Sequence, residues 1–219
     1  MKGKRVPGRG VLKPLLLIPC SGSKERGSAP CGALTLASMI SQDLARSLEA
    51  SRASIRGPAS VDRTRMPAYL RYTGELYMHG ADAIAAGVAD GHEVLIISGA
   101  YGVVRADEGI AWYDKRLRLL DWPRGILERC ILDYARRQSV SSILALVART
   151  SPYATWMRRV AAITGPIQVR ILSPVIGARE GAQGKVPRAQ GQAVSQILDG
   201  DWTEGWRSSD GLALAPHSG

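Results

Sequence analysis

Val94-Leu95-Ile96-Ile97-Ser98-Gly99-Ala100-Tyr101-Gly102 lies at the centre of residues 66–117, MPAYLRYTGELYMHGADAIAAGVADGHEVLIISGAYGVVRADEGIAWYDKRL, and its reading decides the fold. The four apolar residues are too few for a helix and β-branched enough for a strand buried on both faces, as in a parallel sheet. Gly99 and Gly102 free the backbone to turn sharply or to approach a ligand. Arg105, Asp107 and Glu108 follow, then Trp112, Tyr113 and Asp114. Ligands of open α/β sheets bind beyond the carboxyl ends of the strands, so a charged, aromatic loop after a buried strand is expected to form a site there. The plainer reading is an ordinary strand-to-helix connection with solvated charges.

A second loop strengthens the first. Leu15-Leu16-Leu17-Ile18 is another short apolar run and opens into Pro19-Cys20-Ser21-Gly22-Ser23-Lys24. If both strands are parallel, their following loops share one rim and one cleft. Further strands are expected at 143–147 and 167–172, and helices at 34–50, 74–90, 153–163 and 190–198, with another capped by Asp121. The fold class is therefore α/β. It is read as a single domain over residues 14–206, with a mainly parallel sheet of four or five strands and helices on both faces. Residues 1–13, MKGKRVPGRGVLK, read as a disordered basic arm, and residues 207–219 as a disordered tail.

Twenty-nine Lys and Arg against nineteen Asp and Glu leave a net charge of +10. That field favours a polyanion: DNA first, RNA as a further candidate. The run 51–67 is arginine-rich and broken by Gly57-Pro58; it reads as a loop whose arginines 52, 56, 63 and 65 ride on phosphates or simply decorate the surface. Arg149, Arg179, Lys185 and Arg188 are candidates for backbone contacts, the last three in a glycine-rich loop following the fourth strand. That loop is not a phosphate-binding P-loop: Arg179 stands where its first glycine belongs, and Val186 where its Ser or Thr belongs.

Three cysteines without a C-x-x-C pair signal neither a disulfide framework nor a zinc site. His79, His92 and His217 supply no triad. No metal or cofactor is expected. Lys13 and Pro14 interrupt the first apolar run, proline precedes Cys20 where a small residue would be cleaved, and no stretch approaches ~20 apolar residues, so a cytoplasmic protein without a membrane span is expected.

Tyr69-x-x-Tyr72-x-Gly74-Glu75-x-Tyr77, then Ile97-Ser98-Gly99-x-Tyr101-Gly102-x-x-Arg105 and Tyr113, resembles the YaaA-like superfamily of bacterial peroxide-stress proteins and related domains. The Pro19-Cys20-Ser21-x-x-Lys24 spelling is similar to a domain of archaeal tRNA-guanine transglycosylases that has been likened to uracil-DNA glycosylase. The resemblance covers residues 14–117. It implies an α/β fold of uracil-DNA-glycosylase type with a basic, DNA-binding cleft. Two departures stand out: the family's acidic residue aligns on Glu108 with Asp107 beside it, and the proline usual after Arg105 is Ala106.

With histidine chemistry unsupported, the available groups are carboxylates, Lys24, arginines and aromatics. They suit cleavage of an N-glycosidic bond, in which a carboxylate stabilises an oxocarbenium-like cation and orients water. Asp107 is the first candidate, with Glu108 and Glu75 behind it; for Glu75 the alternative is a favourable charge at a helix start. Lys24, Arg105 or Ser21 would assist the leaving base, and Tyr101, Trp112 and Tyr113 would hold it once flipped from the stack, with Ser98 and Tyr77 lining the same pocket. The expectation is a DNA glycosylase acting on a modified base, in repair or in defence against phages. The alternatives are a noncatalytic DNA-binding stress protein and a tRNA base-modifying enzyme.

Overall fold

The computed structural model describes residues 13–56, 64–176 and 184–217. The chain runs β1 (Leu15–Pro19), α1 (Gln42–Arg56), β2 (Arg65–Pro67), α2 (Ala68–Arg71), α3 (Glu75–Ala89), β3 (Val94–Ser98), β4 (Gly102–Arg105), β5 (Gly109–Ala111), α4 (Ile126–Arg137), β6 (Ser142–Leu146), α5 (Pro152–Ala162), β7 (Gln168–Pro174), α6 (Lys185–Leu198) and β8 (Leu214–Pro216). One six-stranded sheet has the order β4-β3-β1-β6-β7-β8; β2 and β5 form a separate antiparallel pair.

The four apolar runs become the parallel strands β3, β1, β6 and β7. In β1, β3 and β6 the hydrophobic run has a simple cause, since both faces are covered; β7 is buried only from Ile171 on, with Gln168 and Arg170 exposed. Leu15, Leu17, Leu95 and Ile97 pack toward α1, α4 and α5, whereas Leu16, Ile18, Val94 and Ile96 pack toward α3 and α6. The molecule is thus a single α/β domain with a mixed, mostly parallel sheet between two helical layers. Helices α3 and α6 cross closely because both carry glycine at the contact: a Cβ on Gly191 would lie 2.3 Å from the Leu76 carbonyl.

Several boundaries depart from the sequence reading. The helix expected at 34–50 starts as a 3-10 turn, Leu36–Met39, and then runs as α1 through Arg56, so Arg52 and Arg56 are helical rather than loop residues. Asp121 ends a 3-10 turn, and α4 starts after Gly125, whose φ of 79° is in the left-handed region. Residues 207–217, read as a disordered tail, fold back: β8 pairs antiparallel with β7, with Pro174 opposite Leu214. Residues 1–12, and with them nearly all of the basic arm, lie outside the described residues, as do Arg63 and Arg179.

The largest difference concerns the central loop. After β3 the chain does not cross to a helix but turns back as β4, antiparallel to β3, with Ser98 opposite Gly102 and Leu95 opposite Arg105. Gly102, at φ 71°, permits the turn, and Val103-Val104 suits a strand. Arg105 is thereby carried back toward the start of β3, and Asp107 and Glu108 follow it away from the rim on which they were expected.

Candidate functional site

The chain leaves β1 toward β3 on one side of the sheet and continues through β6 and β7 on the other. The crevice at the carboxyl ends of β1 and β6 is where such a sheet opens to a ligand. Cys20, directly after β1, and Tyr153, in the first turn of α5 after β6, meet across it, Sγ to phenolic oxygen 3.3 Å.

The loop after β1 is tied down from outside the sheet. Lys24 forms a bridge with Tyr72, the Thr73 amide donates to the Ser23 carbonyl, and the Glu25 amide donates to the Arg71 carbonyl. Buried Arg71 donates to the carbonyls of Glu25, Gly27 and Ile110 and so pins the far end of the loop. Gly74 approaches so closely that a Cβ would sit 2.2 Å from Ser21 Oγ. The Ser21 hydroxyl accepts from the Ser23 amide at 3.1 Å, which shapes the turn.

Lys24 Nζ lies 4.4 Å from the centre of the Tyr113 ring and donates to the Gly22 carbonyl at 3.2 Å. Among the described residues it has no carboxylate within ion-pair distance. Burial lowers its pKa, and the nearby Cys20 and Asp114 partly oppose that shift. The Tyr113 hydroxyl lies 2.8 Å from that of Tyr72 and 2.9 Å from Ser98 Oγ. Tyr77 donates its hydroxyl to the Pro19 carbonyl, and its ring lies 5.2 Å from that of Tyr72. Burial raises the pKa of Tyr72, Tyr77, Tyr113 and Tyr153, so these phenols stay protonated hydrogen-bonding groups at neutral pH.

The structure thus brings Ser21, Lys24, Tyr77, Ser98 and Tyr113 together, and joins to them Cys20, Tyr72 and Tyr153, which were not among the site candidates. Tyr153 had a usable signal, since it follows an apolar run as Ser21 does. Trp112 is partly exposed and carries the Arg26 guanidinium 4.2 Å above its ring. Glu75, in the first turn of α3 after Gly74, is held by Arg188 at 3.1 Å and lies 3.5 Å from His79. Tyr101 is buried on the outer side of β4, its hydroxyl accepting from the Ala111 amide, while its ring lies 5.7 Å from that of Tyr113.

Arg105, Asp107 and Glu108 are elsewhere. Arg105 donates to Asp107 at 3.0 Å and pairs with Glu93 at 3.2 Å; Tyr134, the fourth group at this cluster, donates to Glu93. Burial disfavours the Arg105 charge, but Asp107, Tyr134 and Glu93 outweigh it and raise the pKa. Glu108 accepts from the Leu36 amide and from Arg52, both inside the protein. Arg52 also donates to the carbonyls of Tyr101 and Val103, so this guanidinium is a clamp on β4 and not a phosphate contact. Arg65 similarly donates to the Gly109 carbonyl.

Beside the crevice, at the ends of β6 and β7, lies a cleft of about 610 Å³ lined by Arg149, Ser173, Val175, Val186 and His217. Ser173 hydrogen-bonds His217, whose pKa burial, Arg158 and Arg149 lower. Arg149 is exposed there, Lys185 opens α6 at the same end, and Arg188 is divided between Glu75 and Asp210. Among the described residues, no helix is long and apolar enough to cross a membrane and no cluster of His, Cys, Asp or Glu fits a metal ion. No protein-family model matches the chain, and no curated protein matches it.

Proposed function

We propose that the protein acts on DNA, hydrolysing the N-glycosidic bond of a base, in the first instance a modified one, drawn out of the stack into the crevice beyond β1. The observation that carries this reading is the placement of Lys24: a half-buried cation laid on Tyr113, with Ser98 behind the ring and Ser21 on the same loop. A leaving base needs a hydrogen-bond donor, and Lys24 and Ser21 supply two. It needs a surface to stack on, and Trp112 is partly exposed beside that loop. The developing sugar cation needs a carboxylate; Asp114, whose charge is felt at Lys24, and Glu75, next to Gly74, take the place of Asp107 and Glu108. The net charge of +10, with Arg149 and Lys185 at the same end of the sheet, suits the phosphate backbone.

The test is incubation of the protein with plasmid DNA and with phage DNA carrying modified cytosines or thymines, followed by alkali and by mass spectrometry of released bases. Alkali-sensitive sites with a free base are expected. Binding without any released base across that panel would replace this reading with a noncatalytic one. The ion pairs that engage Asp107 and Glu108 favour that second reading: the acids of the central stretch then serve the fold, and the basic surface is the function.

A further inference from the structure

We infer that Lys24 is a nucleophile toward the aldehyde of abasic DNA, so that the protein carries a strand-cleaving lyase activity. This deepens the proposed base-removing function and rests on it for its substrate. Removing a base leaves a deoxyribose whose C1′ opens to an aldehyde, the functional group that amines attack.

Three features of the crevice fit an amine nucleophile. Lys24 is fixed by the bridge to Tyr72 and by the Tyr113 ring, so Nζ has a defined position. It has no carboxylate partner among the described residues, whereas Arg52, Arg105 and Arg188 are each committed to one or more. A desolvated lysine also keeps a larger neutral fraction near neutral pH, the form that attacks carbonyls. A purely electrostatic role would be better served by an arginine, which stays charged under the same burial.

The chemistry closes without an outside oxidant or reductant. Neutral Nζ adds to C1′ to give a carbinolamine, and loss of water leaves a C1′ iminium. A carboxylate, that of Asp114, takes a proton from C2′. The electron pair of that C–H bond forms the C2′–C3′ double bond as the C3′–O bond breaks and the 3′ phosphate leaves. Water then hydrolyses the conjugated iminium, releasing an unsaturated aldehyde on one strand end, a 5′ phosphate on the other, and the free amine.

Hydride reduction of the iminium to a stable secondary amine gives the test. The full-length protein is mixed with a duplex containing one abasic site prepared in advance, with sodium borohydride or with sodium chloride. The expected result is a borohydride-dependent protein–DNA adduct that peptide mass spectrometry maps to Lys24. Lys24→Gln and Lys24→Arg, each checked for folding by its melting curve, should lower adduct formation on the order of 100-fold or more. No adduct with the unaltered protein overturns the inference, as does an adduct that maps to the N-terminal amine or another lysine and survives both substitutions. Base release from intact modified DNA is scored separately. Release without an adduct sinks the lyase and leaves the glycosylase; an adduct on preformed abasic DNA without base release from any substrate supports the lyase and sinks the glycosylase.

Discussion

Arg52 Nη1 and Glu108 Oε1 meet at 3.0 Å, with each side chain only 3% exposed, 56 residues apart in the chain. The pair joins α1 to the turn between β4 and β5, and Arg52 closes the arrangement by donating to two carbonyls of the β3–β4 hairpin. Removing Arg52 strands the buried Glu108 charge, at a cost of about 3–5 kcal/mol, and Arg52→Met is expected to lose that much in urea denaturation. Glu108→Ala should cost less, because Arg52 keeps Glu49 at 2.7 Å. An Arg52→Met protein of unaltered stability would show the pair to be dispensable.

The relocation of the central acids gives a sharp contrast between carboxylates. Asp107→Asn should leave base release within a few fold of the unaltered protein, because Asp107 faces Arg105 and not the crevice. Asp114→Asn and Glu75→Gln should each lower the single-turnover rate about 100-fold while DNA affinity holds. The opposite ranking in folded proteins would return the catalytic role to Asp107.

Lys24 sets a pH dependence. Its folded-state pKa lies below the ordinary lysine value, so the rate of borohydride trapping should rise with pH and level off before that value. Nζ faces the Tyr113 ring, with the Cys20 thiol and the Asp114 carboxylate nearby; the Tyr113 phenol and that of Tyr72, with which it shares a hydrogen bond, stay protonated over this window. Stability follows the same sign. Between the folded and the ordinary lysine pKa the unfolded chain binds more protons, so this residue's contribution to stability increases with pH.

Gly99 lies against the segment that brings Tyr113 home: a Cβ there would sit 2.2 Å from the Lys115 carbonyl. Backbone offers no flexible end to move aside. Gly99→Ala should cost about 1–3 kcal/mol in a thermal melt and should also weaken borohydride trapping, because Tyr113 is displaced from Ser98 and Lys24.

The cysteines should react in order of access. Cys31 is exposed, while Cys130 is buried in the core with its thiol pushed up to about 12. Iodoacetamide at pH 8 is expected to modify Cys31 first and Cys130 only after denaturation, as read by peptide mass spectrometry. Early labelling of Cys130 would contradict its burial on the core face of α4.

The parallel core was legible in the sequence because strands buried on both faces announce themselves as short apolar runs, and β1, β3 and β6 each fall on one, as does the buried end of β7 at Ile171-Leu172. The Lys24 loop was legible for the same reason, as the polar turn following such a run. What the sequence concealed depends on distant partners. Gly102-Val103-Val104-Arg105 reads equally as a loop or as a returning strand until β3 is there to pair with it. Arg52 looks like surface charge until Glu108 arrives. Three-residue β8 has no periodicity to detect, and its pairing depends on β7.

That short last strand has a consequence for solubility. Without it, β7 would present the open margin of a parallel sheet, a row of unsatisfied amides and carbonyls ready to recruit a strand from another molecule. Residues 214–216 cap that margin, and they end in Pro216, which has no amide hydrogen to offer a further strand. A chain shortened at residue 206 should therefore keep the Lys24 crevice yet self-associate on concentration, because its sheet would no longer have a sealed side.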